Sequence, residues 1–431
     1  MTEPVKRKSR RLLCAALAFC TLFSCLTALT CFADDGQERY ELPIISIHSA
    51  KGAESSTSYT DVTIRIENAE KAFCLEECDA AWKIHGRSSA RNSKKSYNVR
   101  FPERTDLLGM GAAKKWVLVG NPYDKSLLRN KLMYDLSGAV GMLYPMESRF
   151  VELYVNDRYR GVYQLCEAPE IDRERVAIHP AREEFLLEIL LAGRKSDDPV
   201  ITTPEYHLQF TLNDLDYLPK DQRAWLKDFF EEAEQALQSG DREAIARYFD
   251  LDSMANGYIL YEFSKNADLA IGSTRFIIRD GKIFSGAAWD FDLACGNDAY
   301  HCDPLHLVNG TRPALTDGWY AVQLWYRELV RQEWFQELFA ERYLALQPVL
   351  VNLYADNELG KNRIDLLVEA MPEAIAHNYR LWRVSGNDYS LARAGDKTYE
   401  QNVDFLRKWL KDRNEWIVSQ LEAGKRPSLK N

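Results

Sequence analysis

The strongest constraint on the fold is a change of period part-way along the chain. From Leu42 to about Leu165, short runs rich in β-branched and aromatic residues recur between turn signals, at 42–47, 62–66, 81–85, 96–101, 116–119, 151–155 and 161–165. Runs of this length and composition are expected to be strands. Asn156-Asp157 supplies the turn of a hairpin between the last two. One helix is expected among them, at 126–138, with Leu127, Leu128, Leu132 and Leu136 on its apolar face. After about Asp221 the period becomes helical. A run at 225–237 ends at Gly240, a residue suited to the left-handed end of a helix, and Asp241 can cap the next. Further helical runs follow at 251–265, 320–339, 341–353, 364–383 and 399–421, with Pro348 and Pro372 expected to kink or break two of them. Strands first and helices afterwards make an α+β fold, with a sheet-rich N-terminal lobe (about 42–166), a helical C-terminal lobe (about 221–422) and a cleft between.

The first 33 residues stand apart. Lys6, Arg7, Lys8, Arg10 and Arg11 precede an uncharged run at 12–33, and Cys31-Phe32-Ala33 offers small residues for a cut. The segment reads as a signal peptide, or, because about 20 apolar residues span a bilayer, as an N-terminal membrane anchor. In both cases the bases stay in the cytoplasm and residues 34–431 lie outside, secreted or anchored to the cell membrane. Without residues 1–33 the chain keeps 50 basic and 63 acidic side chains. That excess argues against nucleic acid as a partner, and leaves the membrane only a role through the N-terminal segment. Five cysteines remain, Cys74, Cys78, Cys166, Cys295 and Cys302. They are too few for a disulfide framework, although Cys74 with Cys78, or Cys295 with Cys302, can pair in an oxidising compartment.

Chemistry concentrates between Asn266 and Asp292. Asp280-Gly281 sits between two β-rich runs, the signature of a two-residue type I′ hairpin. Pairing Arg279 with Lys282 sets Asp290 opposite Ile271, just past Asp268, so Asp268 meets Asp290 and Asp292 at the open end of the hairpin. Carboxylates gathered there suit a hard divalent cation, and one of them can act as a base. Each acid taken singly is ordinary turn chemistry. The helix leading into Asp268 carries Glu262 within its apolar stripe, where a carboxylate requires a cation, a metal or several donors. Glu262 is therefore either a metal ligand or a structural acid bonded to a buried Arg or Tyr.

In the run Lys94-Lys-Ser-Tyr-Asn-Val-Arg-Phe101, strand alternation places Lys95 with Tyr97, Val99 and Phe101. An inward lysine at a sheet edge suits phosphate coordination, and otherwise snorkels. Upstream, Gly86-Arg87-Ser-Ser89 provides a small-residue loop able to cover phosphates, without a G-x-G-x-x-G or Walker pattern.

Several of these segments, taken in order, resemble the spore coat protein H (CotH) kinase family: His85-Gly-Arg-Ser-Ser89, Lys94-Lys-Ser-Tyr97, Trp116-Val-Leu-Val-Gly-Asn121, Asp124-Lys-Ser-Leu-Leu-Arg-Asn-Lys131, Arg160-Gly-Val-Tyr163 with Glu167, Asn266-Ala-Asp268 and Trp289-Asp-Phe-Asp292. The resemblance extends from about Leu42 to Trp416. It implies an atypical protein-kinase-like fold that transfers the γ-phosphate of ATP, with Mg²⁺ or Mn²⁺, to Ser or Thr of exported or surface proteins. By position, Asp268 matches the catalytic acid and Asp290 the metal-binding acid, with Asp292 next. Lys95 matches the lysine of the sheet-lobe motif, and Glu167 ends that lobe's second motif. Arg87 lies in the loop over the cofactor, and Trp289 is either an adenine-side aromatic or a core residue. Many family members carry an Asn five or six residues after the catalytic Asp, where this chain has Ser273 and Thr274. That departure keeps a second reading open, a catalytically impaired kinase-like surface binding module. Glycan hydrolysis by two of the acids, and other transfers from ATP, fit less well.

Overall fold

The computed structural model describes residues 41–50, 53–191, 193–299, 319–321, 323–387 and 389–427. The export segment at 1–33 and Cys302 lie outside the described residues. Among the described residues no helix is long and apolar enough to cross a membrane.

Seven strands occupy the sheet-rich region: β1 Ile44–Ser49, β2 Thr60–Glu67, β3 Leu75–His85, β4 Ser96–Asp106, β5 Ala112–Val119, β6 Ser148–Val155 and β7 Arg158–Glu167. They do more than stack as a sheet. β1 pairs in parallel with β6, from Ile44↔Glu152 to Ile47↔Val155, and this closes the order β1-β2-β3-β4-β5-β7-β6 into a barrel. Closure removes both edges, and alternation then points one set of side chains inward. Ile47, Trp82, Val99, Trp116, Val151 and Tyr163 fill the interior. The β6–β7 turn is the expected one, with Asn156 and Asp157 at φ 48° and 59°. Helix α1, Arg129–Ala139, starts three residues later than its apolar pattern.

A second sheet of five strands was not visible in the periodicity. β8 Phe185–Ile189, β9 Val200–Thr202 and β10 Gln209–Leu212 are only three to five residues long, too short for a period to show. They join β11 Arg275–Arg279 and β12 Lys282–Ser285 in the order β12-β11-β8-β10-β9. The hairpin register is the one expected, Arg279 facing Lys282 around Asp280 and Gly281 at φ 51° and 70°. Pairing ends at Phe276↔Ser285, however, so Asp290 and Asp292 are not on a continued strand.

The helices follow mostly as read. α2 Lys220–Ser239 ends at Gly240 (φ 70°), and Asp241 caps α3 Arg242–Tyr248 by accepting from the Ala244 amide. α4 Leu251–Ser264 is buried on almost every side. The run expected at 320–339 divides into α5 Tyr326–Leu329 and α6 Glu333–Ala345. Pro348 sits in the first turn of α7 Gln347–Asn352, after α6 has stopped. Pro372 likewise opens α9 Pro372–Leu381, following α8 Arg363–Glu369. Both runs break at their prolines, as expected, and each proline sits in the first turn of the new helix, where its missing amide has no intrahelical acceptor. α10 Tyr399–Glu422 begins with a Thr398–Gln401 capping box. The whole is a mixed α+β fold, a sheet-rich N-terminal region followed by a helical C-terminal one.

Cys74 and Cys78 are free thiols. Cys78 lies within β3 and Cys74 just before it, and four residues of extended chain, at about 3.3 Å each, exceed the Cα separation a disulfide tolerates.

Candidate active site

Helix α4 delivers the first acid. It ends at Lys265, whose φ of 46° turns the chain out of the helix, and Asn266 then holds the next step. Its side-chain oxygen accepts from the Asp268 amide at 3.0 Å, while its side-chain nitrogen donates to the Asp290 carbonyl at 3.1 Å. One asparagine thus ties together the two loops that carry the acids.

The second loop is fixed from the α1 side. The Phe291 amide donates to Asn130 Oδ1 at 2.7 Å, and Asn130 donates on to Asn121 Oδ1 at 2.9 Å. Asp124 Oδ2 accepts the Arg129 amide at 2.8 Å, and Asp124 Oδ1 pairs with the Arg129 guanidinium at 2.5 Å. Arg129 Nε continues to the Ala294 carbonyl at 3.1 Å. Asn297 closes the turn, donating to the carbonyls of Asp292 at 2.6 Å and Tyr123 at 3.1 Å. Asn121, Asp124, Arg129 and Asn130 all lie in segments noted in the sequence for their resemblance, but their role was not legible there. They position the acidic loop by contacts reaching up to 166 residues along the chain.

Asp268 and Asp290 lie close enough to Asp292 for their charges to act on it. Burial, followed by the charges of Asp290, Asp268 and Asp124, pushes Asp292 well above the usual carboxylate range, with Arg129 opposing. Burial also raises Asp290, while a hydrogen bond from Ser273, His85 and Arg275 pull it down. Ser273 Oγ donates to Asp290 Oδ2 at 3.1 Å, and the Ser273 amide donates to Glu188 Oε1 at 3.2 Å. Glu188 in turn pairs with Arg275 at 2.6 Å. His85, at the end of β3, sets its ring edge-on to Trp289 with centroids 6.0 Å apart. Burial lowers its pKa, and the Asp290 charge partly restores it.

Two tyrosines lie beside this acidic group. Tyr123 and Tyr389 stack with centroids 4.7 Å apart. Both phenols lie near Ser88 in the Gly86–Ser89 loop, and both feel the Asp292 charge. Tyr389 also feels Asp268 and Arg194. The small-residue loop therefore lies beside the two tyrosines. Arg87 is exposed and donates to the Lys195 carbonyl at 3.4 Å. Tyr389 carried no signal in the sequence, since a lone tyrosine in a polar stretch is ordinary.

Other expected residues are placed differently. Glu262 is fully buried and paired with Arg413, and it accepts from the amides of Tyr320 at 2.8 Å and Ala321 at 2.6 Å and from Tyr258 Oη at 3.2 Å. Its acceptor capacity is spent inside the protein, so the metal-ligand expectation is corrected in favour of the structural acid. Lys95 donates to the carbonyls of Ala90 at 2.9 Å and Asn92 at 3.3 Å, bracing its own loop. β4 begins only at Ser96, so strand alternation does not extend back to Lys95. Glu167 pairs with Arg175 at 2.7 Å and accepts the Glu147 amide at 2.7 Å. Burial pushes its carboxyl up to about 7 against the pull of Arg175. It pins the segment after β7 to the barrel and does not join the acids. Trp289 is 5% exposed and stacks on Tyr134 at 5.6 Å, a core contact.

Among the described residues no three His, Cys, Asp or Glu side chains are grouped to hold an ion unaided. Asp290 and Asp292 nevertheless fit a hard divalent cation. Their mutual repulsion in a buried setting is what a cation relieves, and Mg²⁺ is usually held by one or two carboxylates completed by phosphate and water oxygens.

A family model for CotH kinase proteins matches residues 82–417. The chain belongs to the CotH kinase family. The matched segment runs from within β3 into α10, so it takes in the Gly86–Ser89 loop, the α1 network and all three acids. No curated protein matches the chain. Family membership points to a kinase-like enzyme.

Proposed function

We propose that this protein is an exported kinase that transfers the γ-phosphate of ATP to Ser or Thr hydroxyls of exported or surface proteins. The observation that supports the reading is that the charges of Asp268 and Asp290 both act on the buried Asp292, with Ser88 of the Gly86–Ser89 loop near the adjoining Tyr389. In this reading the barrel and the helical region act as the two lobes of an atypical kinase, with nucleotide entering beside Tyr123 and Tyr389. Asp290 and Asp292 hold the divalent ion, which neutralises phosphate charge when bound. Asp268 accepts the proton of the acceptor hydroxyl as its oxygen attacks, the role of the acid that precedes a hairpin in phosphoryl-transfer enzymes. The Gly86–Ser89 loop and the arginines beside the tyrosine pair, Arg91 and Arg194, supply donors for phosphate oxygens. Residues 1–33 direct export or anchor the chain, so acceptors are met outside the cytoplasm.

The test is labelling of the exported proteins with ATP and Mn²⁺ or Mg²⁺ by the parent chain, Asp268→Asn and Asp290→Asn. The parent should label, Asp268→Asn should fall by at least about 10²-fold, the usual scale for losing a general base, and Asp290→Asn should fall with it. Equal labelling by all three overturns the reading.

Ser273 favours a second reading. Its hydroxyl occupies an Asp290 oxygen where many family members offer an amide carbonyl to metal. A surface binding module that has lost catalysis would show no thermal shift with ATP and metal, whereas a nucleotide site raises apparent stability by mass action.

A further inference from the structure

Strand β8 brings a further acid to the metal-binding loop. Glu188 sits between Leu187 and Ile189, both buried, so its backbone is held within the second sheet. The antiparallel register of β8 with β11 sets Arg275 directly across from it. Their side chains pair at 2.6 Å, with Arg275 7% exposed and Glu188 26%. Cross-strand ion pairs of this kind commonly support the sheet and nothing more. This one reaches past the end of the strand.

Ser273, two residues before Arg275, is gripped on both sides by the pair. Its amide donates to Glu188 Oε1 at 3.2 Å, and its carbonyl accepts from Arg275 Nη1 at 3.2 Å. Ser273 lies in the bend before β11 at φ 62°, a conformation costly for a residue with a side chain, and these bonds offset that cost. With its backbone held there, its hydroxyl donates to Asp290 Oδ2 at 3.1 Å. The contacts therefore run in series from Arg275 through Glu188 and Ser273 to Asp290. The charges of Arg275 and Glu188 also reach Asp290. A carboxylate that ligates a metal is oriented by the groups hydrogen-bonded to it, and losing such a group typically costs about 10- to 100-fold in metal affinity.

We propose, resting on the reading of Asp290 as a metal ligand, that Glu188 is a positioning residue of the phosphoryl-transfer site: it holds Ser273, and Ser273 fixes the carboxylate of Asp290 for the divalent ion. Ser273 adds no ligand of its own in this role, and its bond sets the direction of a ligand already present. Glu188 acts at one remove and does not touch the ion. Its place on a buried sheet suits that work, because a strand holds a supporting side chain more exactly than a loop does.

The experiment is calorimetric titration of the full chain with Mn²⁺ in the presence of a non-hydrolysable ATP analogue, below the melting temperature of every variant. The chains compared are the parent, Glu188→Ala, Glu188→Gln, Ser273→Ala and the double variant Glu188→Ala/Ser273→Ala. Affinity is read on folded protein, so a merely structural role would lower the melting temperature and leave the affinity alone. Glu188→Ala should weaken Mn²⁺ binding at least about tenfold. Glu188→Gln keeps an acceptor for the Ser273 amide and should return to within about threefold of the parent. Ser273→Ala leaves the Glu188–Arg275 pair intact, so it should fold even where Glu188→Ala does not, and it should show the same loss. Once Ser273 is alanine, removing Glu188 should add less than about twofold, because the route to Asp290 is already cut. Parent-like affinity in Glu188→Ala or in Ser273→Ala overturns the proposal. Additive losses in the double variant also overturn it, since Glu188 would then act on the ion without Ser273. Glu188→Gln as weak as Glu188→Ala overturns it too, by placing the effect in the charge that meets Arg275. A parent chain that takes up no Mn²⁺ with nucleotide fails earlier, at the reading of Asp290 itself, and takes the role of Glu188 with it.

Discussion

Ser273 Oγ donates a 3.1 Å hydrogen bond to Asp290 Oδ2, and both residues hold positive φ, 62° and 65°. Neither is glycine, so each conformation carries some backbone strain held by the surrounding network. The bond uses one oxygen of an acid that a divalent ion would also need. Ser273→Asn replaces a hydroxyl donor with a side chain whose carbonyl can ligate a hard cation. That variant should bind Mg²⁺-ATP about three- to tenfold more tightly than the parent, read from nucleotide-dependent shifts in melting temperature. Equal or weaker binding would show that the serine is not what limits metal affinity.

Asp292 gives a pH signature. Its folded-state pKa lies well above 3.8, raised by burial and by Asp290 and Asp268. The folded chain therefore holds this proton more tightly than the unfolded chain, so the group favours folding at low pH and opposes it as pH rises past 3.8. Asp292→Asn removes the penalty. In the absence of divalent metal it should melt higher than the parent at neutral pH, with the gap closing towards acid. Mg²⁺ with nucleotide should stabilise the parent more than the variant. A variant that melts lower at every pH would place Asp292 in a favourable ion pair instead.

How much of this was legible depended on the range of the signal. The hairpin register and the Asn156-Asp157 turn are local, set by residues that accept positive φ, and both could be read directly. Barrel closure rests on β1 meeting β6 across about 100 residues, and no local pattern announces that pairing. Asp268 and Asp290 stood out as acids at a hairpin mouth. The groups that position them did not, because Asn130 or Arg129 in a helical run looks like any polar surface residue until its partner 161 or more residues away is known. Lys95 shows the reverse failure, a period extended one residue beyond the strand that generates it.

Glu262 and Arg413 are both inaccessible to solvent and paired with each other. Removing one member of such a pair strands the other charge, at a cost of about 3–5 kcal/mol. Glu262→Leu should lose stability on that scale in urea unfolding, with two amides and Tyr258 also left without their acceptor. Nucleotide affinity, extrapolated to the folded fraction, should stay within about threefold of the parent. A stable variant that has lost metal binding would return Glu262 to the metal site.

Trp289 and Tyr389 separate core from mouth. Trp289 packs on Tyr134 with ring planes 15° apart and meets the His85 edge, so Trp289→Ala should cost about 3–5 kcal/mol, as large aromatic truncations in a core do. Tyr389 is half-buried, stacked on Tyr123 at the edge of a small cluster with Ala267, Leu293 and Ala392. Its phenol lies near Asp268, Asp292 and Ser88, beside the proposed entry of nucleotide. Tyr389→Ala should therefore lose no more than about 1.5 kcal/mol, the upper worth of an aromatic pair, while raising the KM for ATP or acceptor several-fold. Tyr389→Phe keeps the stack and removes only the hydroxyl. If Phe restores the KM, the ring does the positioning. If it leaves the KM as high as in Ala, the contact with the Ser88 loop is what matters, because the stack alone would not distinguish tyrosine from phenylalanine.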